Sequence, residues 1–223
     1  MPRPWIKGVQ ITGQLTVFPT ASLLSAPAWG GQLFTQTLNE FNRLAQANLF
    51  GVRLVRSNSP TDGTGGGANI QVDVSKGSHT FIDGQGVKQT GQLNVTPGQV
   101  RGITHSITFG AGASEKVAWA WVFVPANPVL GAGQRGVGNG VKVGLTLHEL
   151  LHACGLRETD PGHKSTIQAG DVFMTDSIVN AGSRPDEDKY QFGSGNQPDA
   201  AGRFILSTTT VSLVQSVWLL GQF

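Results

Sequence analysis

With 223 residues, 39% of them hydrophobic, the chain is long enough to bury a sizeable core, and one domain over 1–223 is the simpler reading than two small ones. Charged residues make up only 13%, and the formal net charge of +2 comes from scattered Lys and Arg, so no basic stripe exists to track a phosphate backbone and nucleic acid is not an expected partner. No apolar run approaches the roughly 20 residues that a membrane span needs, and the single cysteine, Cys154, excludes an internal disulfide.

The first residues, MPRPWIKGVQITGQ, are positively charged but hold no apolar core region or small-residue cleavage site. They read as lacking a secretory signal, which suits a cytoplasmic protein or one released by another route, including carriage in a virion. Val9, Ile11, Leu15 and Val17 alternate with polar residues and predict a first strand with one buried face. From Gln32 to Leu49, Phe34, Leu38, Phe41 and Ala45 recur at spacings of three and four, the apolar face of an amphipathic helix.

Val52 with Leu54, and then Ile70 to Val74, predict a second and a third strand, separated by the turn-forming stretch SNSPTDGTGGG. Lys76 to Gly102 is Gly-rich and reads as loop and short hairpin. Ile103, His105, Ile107 and Phe109 alternate with polar residues, while VAWAWVFV is apolar on both faces and fits a central strand. A mixed α/β sheet packed against two long helices is the economical arrangement. The segment GAGQRGVGNG leads into the second of them.

That helix carries His148-Glu149-x-x-His152. Residues four apart on an α-helix lie about 40° apart around the axis and about 6 Å along it, so both imidazoles can reach one ion. Glu149 is turned by about 100°, beside such an ion, where its carboxylate suits a general base acting on a bound water. The same pattern arises in unrelated helices, so the surroundings matter. Val143, Leu147, Leu151 and Cys154 can supply a buried stripe that leaves the histidines on a separate face, and Gly155 sits where a left-handed residue would end the helix. Cys154 reads as a small core residue.

HELLHACGL resembles the HExxHxxG portion of the metzincin zinc endopeptidases. LSTTTVSLVQSVWLLG, from Leu206 to Gly221, is similar to the closing helix of their matrixin branch. On its own terms that segment is a packing helix, with Ser207 as N-cap and an apolar face of Val211, Val214, Val217 and Trp218. Met174, in GDVFMTD, resembles the methionine of the metzincin Met-turn. A lone methionine is more often plain core, but the three matches fall in the family order.

The resemblance implies a metzincin-like α+β fold: a twisted, mostly parallel sheet with an antiparallel edge strand on two long helices, plus a C-terminal helix. It divides the domain into a part with sheet and first helix (1–140) and a part with zinc helix, Met-turn and closing helix (141–223). It also implies one catalytic Zn2+ held by His148, His152 and a third residue. Glu149 is the implied base, and Gly155 and Met174 shape the surroundings of the metal. The expected substrate is a protein or peptide lying along the edge strand, for which Ile103 to Phe109 is the best candidate, with the loop from Asn180 to Ala200 as a pocket wall.

The third ligand is open. The family places a histidine three residues after the glycine, where this chain has Glu158, and zinc accepts carboxylate oxygen. Asp160 and His163 follow within the next turn of chain, and the Asp-Pro-Gly of RETDPG can fold an extra loop outward and return the chain to a metal. His163 precedes Lys164, Ser165 and, eleven residues on, Met174, which is the matrixin order. His163 is preferred, with Glu158 and Asp160 as alternatives.

Other positions depart from the family. The latency cysteine is absent, and Asp176 stands where some metzincins carry an aromatic residue. His79 and His105 read as ordinary polar residues, because neither has a ligand partner at useful spacing. The expected function is zinc-dependent endopeptidase. The rival is a noncatalytic component of a phage particle or secreted assembly that keeps the fold, favoured by the richness in Gly, Gln, Thr and Asn and disfavoured by the intact Glu149.

Overall fold

The computed structural model describes residues 2–94, 99–130, 135–158, 160, 167–168, 189–192 and 202–220. A short helix α1 (Lys7–Thr12) leads into β1 (Gln14–Pro19), and a second short helix α2 (Ala21–Ser25) into the long α3 (Gly31–Ala47). Strands β2 (Arg53–Arg56), β3 (Ile70–Ser75), β4 (Ser78–Ile82), β5 (Lys88–Gln92), β6 (Gln99–Val100), β7 (Ile103–Phe109) and β8 (Lys116–Pro125) follow. Two short strands, β9 (Val129–Leu130) and β10 (Arg135–Gly136), precede the second long helix α4 (Asn139–Ala153). Beyond it lie β11 (Ile167–Gln168), β12 (Lys189–Phe192), β13 (Gly202–Ile205) and α5 (Thr208–Gln215), which runs on into a π-type turn, Ser216–Leu220.

Five strands form the main sheet in the order β2-β1-β3-β8-β7. β1 pairs in parallel with β2 and β3, and β3 in parallel with β8, while β7 closes the edge antiparallel to β8. The architecture is therefore mixed α/β, with a mostly parallel sheet. The apolar run predicted as a central strand is β8, held between β3 and β7. Its Val117, Ala120, Val122 and Val124 enter the main core with the helices, and its Trp119, Trp121 and Phe123 enter a second cluster on the opposite face. A strand with two buried faces has no use for polar alternation.

α3 packs against α4 and β2, and α4 against β7 and β8. Phe34, Leu38, Phe41 and Ala45 of α3 are all buried, as their spacing predicts. The predicted hairpin is β4 with β5, antiparallel, and it brings Phe81 and Ile82 to the second cluster. α5 is capped by Ser207, whose Oγ accepts the Thr210 N–H at 3.0 Å, and Val211, Val214, Val217 and Trp218 are buried. Among the described residues, no helix is long and apolar enough to cross a membrane.

Two expectations need correction. Val9 and Ile11 do not extend the first strand but lie in α1. The buried Gln10 accepts the Trp5 N–H at 2.8 Å and donates to the Val217 carbonyl at 2.5 Å, so a tie through a polar residue outranks the apolar alternation. Ile11 is left exposed, and Gly13 (φ 58) turns the chain into β1. The expected stripe on α4 is likewise too narrow. Leu147, Leu151 and Cys154 are buried, but so are Val141, Leu145 and Leu150, whereas Val143 is only partly covered. The helix lies between α3, the sheet and the β12–β13 ribbon and is enclosed on most sides.

Candidate functional site

The HExxH residues occupy the last turns of α4, and the end of that helix is held firmly. Trp5 donates its indole N–H to the Ala153 carbonyl at 3.0 Å, and Trp218 does the same to the Cys154 carbonyl at 3.1 Å. Helix C-termini leave carbonyls without intrahelical partners; here two buried indoles satisfy them. Gly155 follows at φ 114, and a Cβ there would run into the Arg3 carbonyl oxygen, so only glycine fits. Burial pushes the Cys154 thiol pKa up, which makes it an inert core group.

His148 and His152 are both buried, and their rings meet edge to face with centroids 4.7 Å apart. Their Nε2 atoms are 3.1 Å apart. The other ring nitrogen of His152, Nδ1, lies 3.1 Å from the Leu156 carbonyl. A carbonyl only accepts, so Nδ1 carries the hydrogen, and in the neutral ring Nε2 keeps its lone pair on the side of His148. This arrangement orients an imidazole for metal ligation. The donor set suits a divalent ion such as zinc.

Glu149 points between α4 and the edge strand. The Thr104 hydroxyl lies 2.7 Å from its Oε2 and 3.0 Å from its main-chain oxygen. The Gly102 N–H also bonds to the carboxylate. Burial pushes the Glu149 carboxyl up to about 8, with the charge of Glu158 adding to the rise and Thr104, Arg101 and Gly102 opposing it. A carboxyl that titrates near neutral pH can both take and return a proton.

Of the proposed third ligands, Glu158 is exposed and paired with Arg101 at 3.2 Å. Asp160 is buried, and its Oδ2 accepts the Arg157 N–H at 2.7 Å, which closes a tight turn just after the helix. His163 and Met174 lie outside the described residues, as do Asp176 and most of the loop from Asn180 to Ala200. Among the described residues, no third His, Cys, Asp or Glu joins His148 and His152 in one ligand group.

Two features of this region escaped the sequence. Gly102 and Thr104 carry no motif, and only the fold brings them against Glu149, 45 positions beyond Thr104. His79 and His105 do have partners after all: each other. The β4–β5 hairpin crosses the face of the sheet opposite α4 and sets their Nε2 atoms 2.8 Å apart, with the His79 ring stacked on Phe123 and the His105 ring on Phe81. Linear spacing could not reveal a pair formed between a hairpin and an edge strand.

Comparison with protein-family models, with curated proteins and with solved structures finds no match.

Proposed function

We propose that the chain is a zinc-dependent endopeptidase of the metzincin type, nearest the matrixin branch. The observation that carries this reading is the arrangement along one helical turn: the Nε2 atoms of His148 and His152 stand 3.1 Å apart, and the intervening Glu149 is buried with its carboxyl held by Thr104. His148 and His152 would hold the ion, with His163 as the preferred third ligand. Zinc with three protein ligands supplies a Lewis acid and a bound water acidic enough to attack at neutral pH.

The chain's own residues supply the rest. Glu149 takes a proton from the attacking water and returns it to the leaving amine. Among the described residues β7 pairs only with β8 and stands at the sheet edge against α4, so its outer backbone is suited to pair with an extended peptide. Burying a carboxyl is costly unless it has a use, and Glu149 is buried, which weighs against the noncatalytic rival.

The test is metal dependence. Hydrolysis of a mixed peptide library by the purified protein should disappear after dialysis against a chelator and return on addition of about one equivalent of zinc. Cleavage that survives complete metal removal would reject the reading.

A further inference from the structure

Resting on that endopeptidase reading, we propose that Thr104 is the positioning residue for Glu149, working in a slot that Gly102 keeps open for the carboxylate. A hydroxyl offers one proton and two lone pairs. The Thr104 Oγ has two acceptors within reach, Oε2 of Glu149 at 2.7 Å and the main-chain oxygen of the same residue at 3.0 Å. While the carboxylate is charged, Thr104 donates to Oε2. The oxygen held by Thr104 is not the one that exchanges the proton, so Oε2 goes on accepting the same hydrogen bond whether or not the other oxygen is protonated. The contact therefore persists through both halves of the proton transfer, and the carboxyl does not swing away between them.

Gly102 supplies the space. A Cβ at that position would lie 2.5 Å from Cγ, 2.7 Å from Oε1 and 2.8 Å from Cδ of Glu149. Glu149 is itself buried, so its carboxyl cannot simply swing out into solvent. Gly102 and Thr104 flank the first residue of β7, the edge strand, so the element suited to hold a peptide backbone also fixes the base. A shift of β7 along α4 would misplace both together, which ties the register of the substrate to the reach of the proton acceptor.

The experiment compares Thr104→Val with Thr104→Ser on a peptide that the wild type cleaves. Valine keeps the branched shape and loses the hydroxyl; kcat should fall about 10 to 100-fold with KM within about twofold, and serine should restore kcat to within about threefold of wild type. A purely structural role would not be rescued by the smaller side chain. In parallel, thermal unfolding of the zinc-loaded protein should show Thr104→Val lowering Tm by about 3 °C or more in the wild-type background and by under about 1 °C when Glu149 is already alanine. Wild-type kcat in the valine variant, failure of serine to rescue, or equal Tm losses in both backgrounds would overturn the proposal. Absence of any Glu149-dependent hydrolysis would instead defeat the endopeptidase reading, while the thermal cycle still decides whether Thr104 holds the carboxyl.

Discussion

Glu158 stands at the position where the metzincin pattern would have its third histidine, yet its side chain is 52% exposed and engaged with Arg101. An exposed ion pair contributes at most about 1 kcal/mol and is easily replaced, so Glu158→Gln should keep the metal. His163→Ala should not. Loss of a direct ligand is expected to weaken zinc binding by more than the 10 to about 100-fold typical of residues that only orient a ligand, which a competition titration with a chromogenic chelator would measure. Zinc retention by the His163 variant together with loss in the Glu158 or Asp160 variant would reassign the third ligand. The side-by-side placement of His148 and His152 was legible because one helical turn writes it into their spacing. Thr104 and Gly102 were not, because nothing local marks a strand residue that meets a helix 45 positions later.

At the scale of elements, the hairpin β4–β5 and the edge strand β7 are joined by His79 and His105. Burial, and then the nearby His79, lower the His105 pKa from its ordinary 6.5 to about 4. Burial also lowers that of His79, against an opposing pull from Asp73. A base whose folded pKa lies below its unfolded one binds fewer protons when folded, so stability rises with pH between the two values. The contribution is fully present above about pH 6.5 and is lost as pH falls toward 4. Thermal unfolding followed across that window should show Tm falling on acidification, and His105→Gln should flatten the slope by about 5 °C over the range. An unchanged slope would mean that the pair does not titrate as a unit. The elements themselves were mostly legible: α3 follows its apolar period, β8 its unbroken apolar run, and Gly155 ends α4 as expected. α1 was not, since the alternation of Val9 and Ile11 extends over too few residues to tell a strand from one helical turn, and the deciding contact of Gln10 with Val217 comes from 207 residues away.

At the scale of the molecule, segments from both halves of the chain meet at the end of α4. Trp5 and Trp218 occupy its terminal carbonyls, and Glu115 accepts from Arg3 at 2.8 Å and from Arg157 at 2.9 Å, linking the first residues to the stretch that leaves the helix. The HExxH residues thus sit on a helix end tied to both termini of the fold, with the edge strand beside them and the hairpin on the opposite face of the sheet. Rigid support of this kind suits a centre that must hold two imidazoles and a carboxyl in fixed relation. The most direct measurement is the comparison of wild type with Glu149→Ala for zinc content and peptide hydrolysis in the same preparations. Both proteins should hold about one zinc per chain, and the variant should cleave about 100-fold more slowly or worse. Equal cleavage by the two, or a wild-type protein that takes up no zinc, would contradict the account.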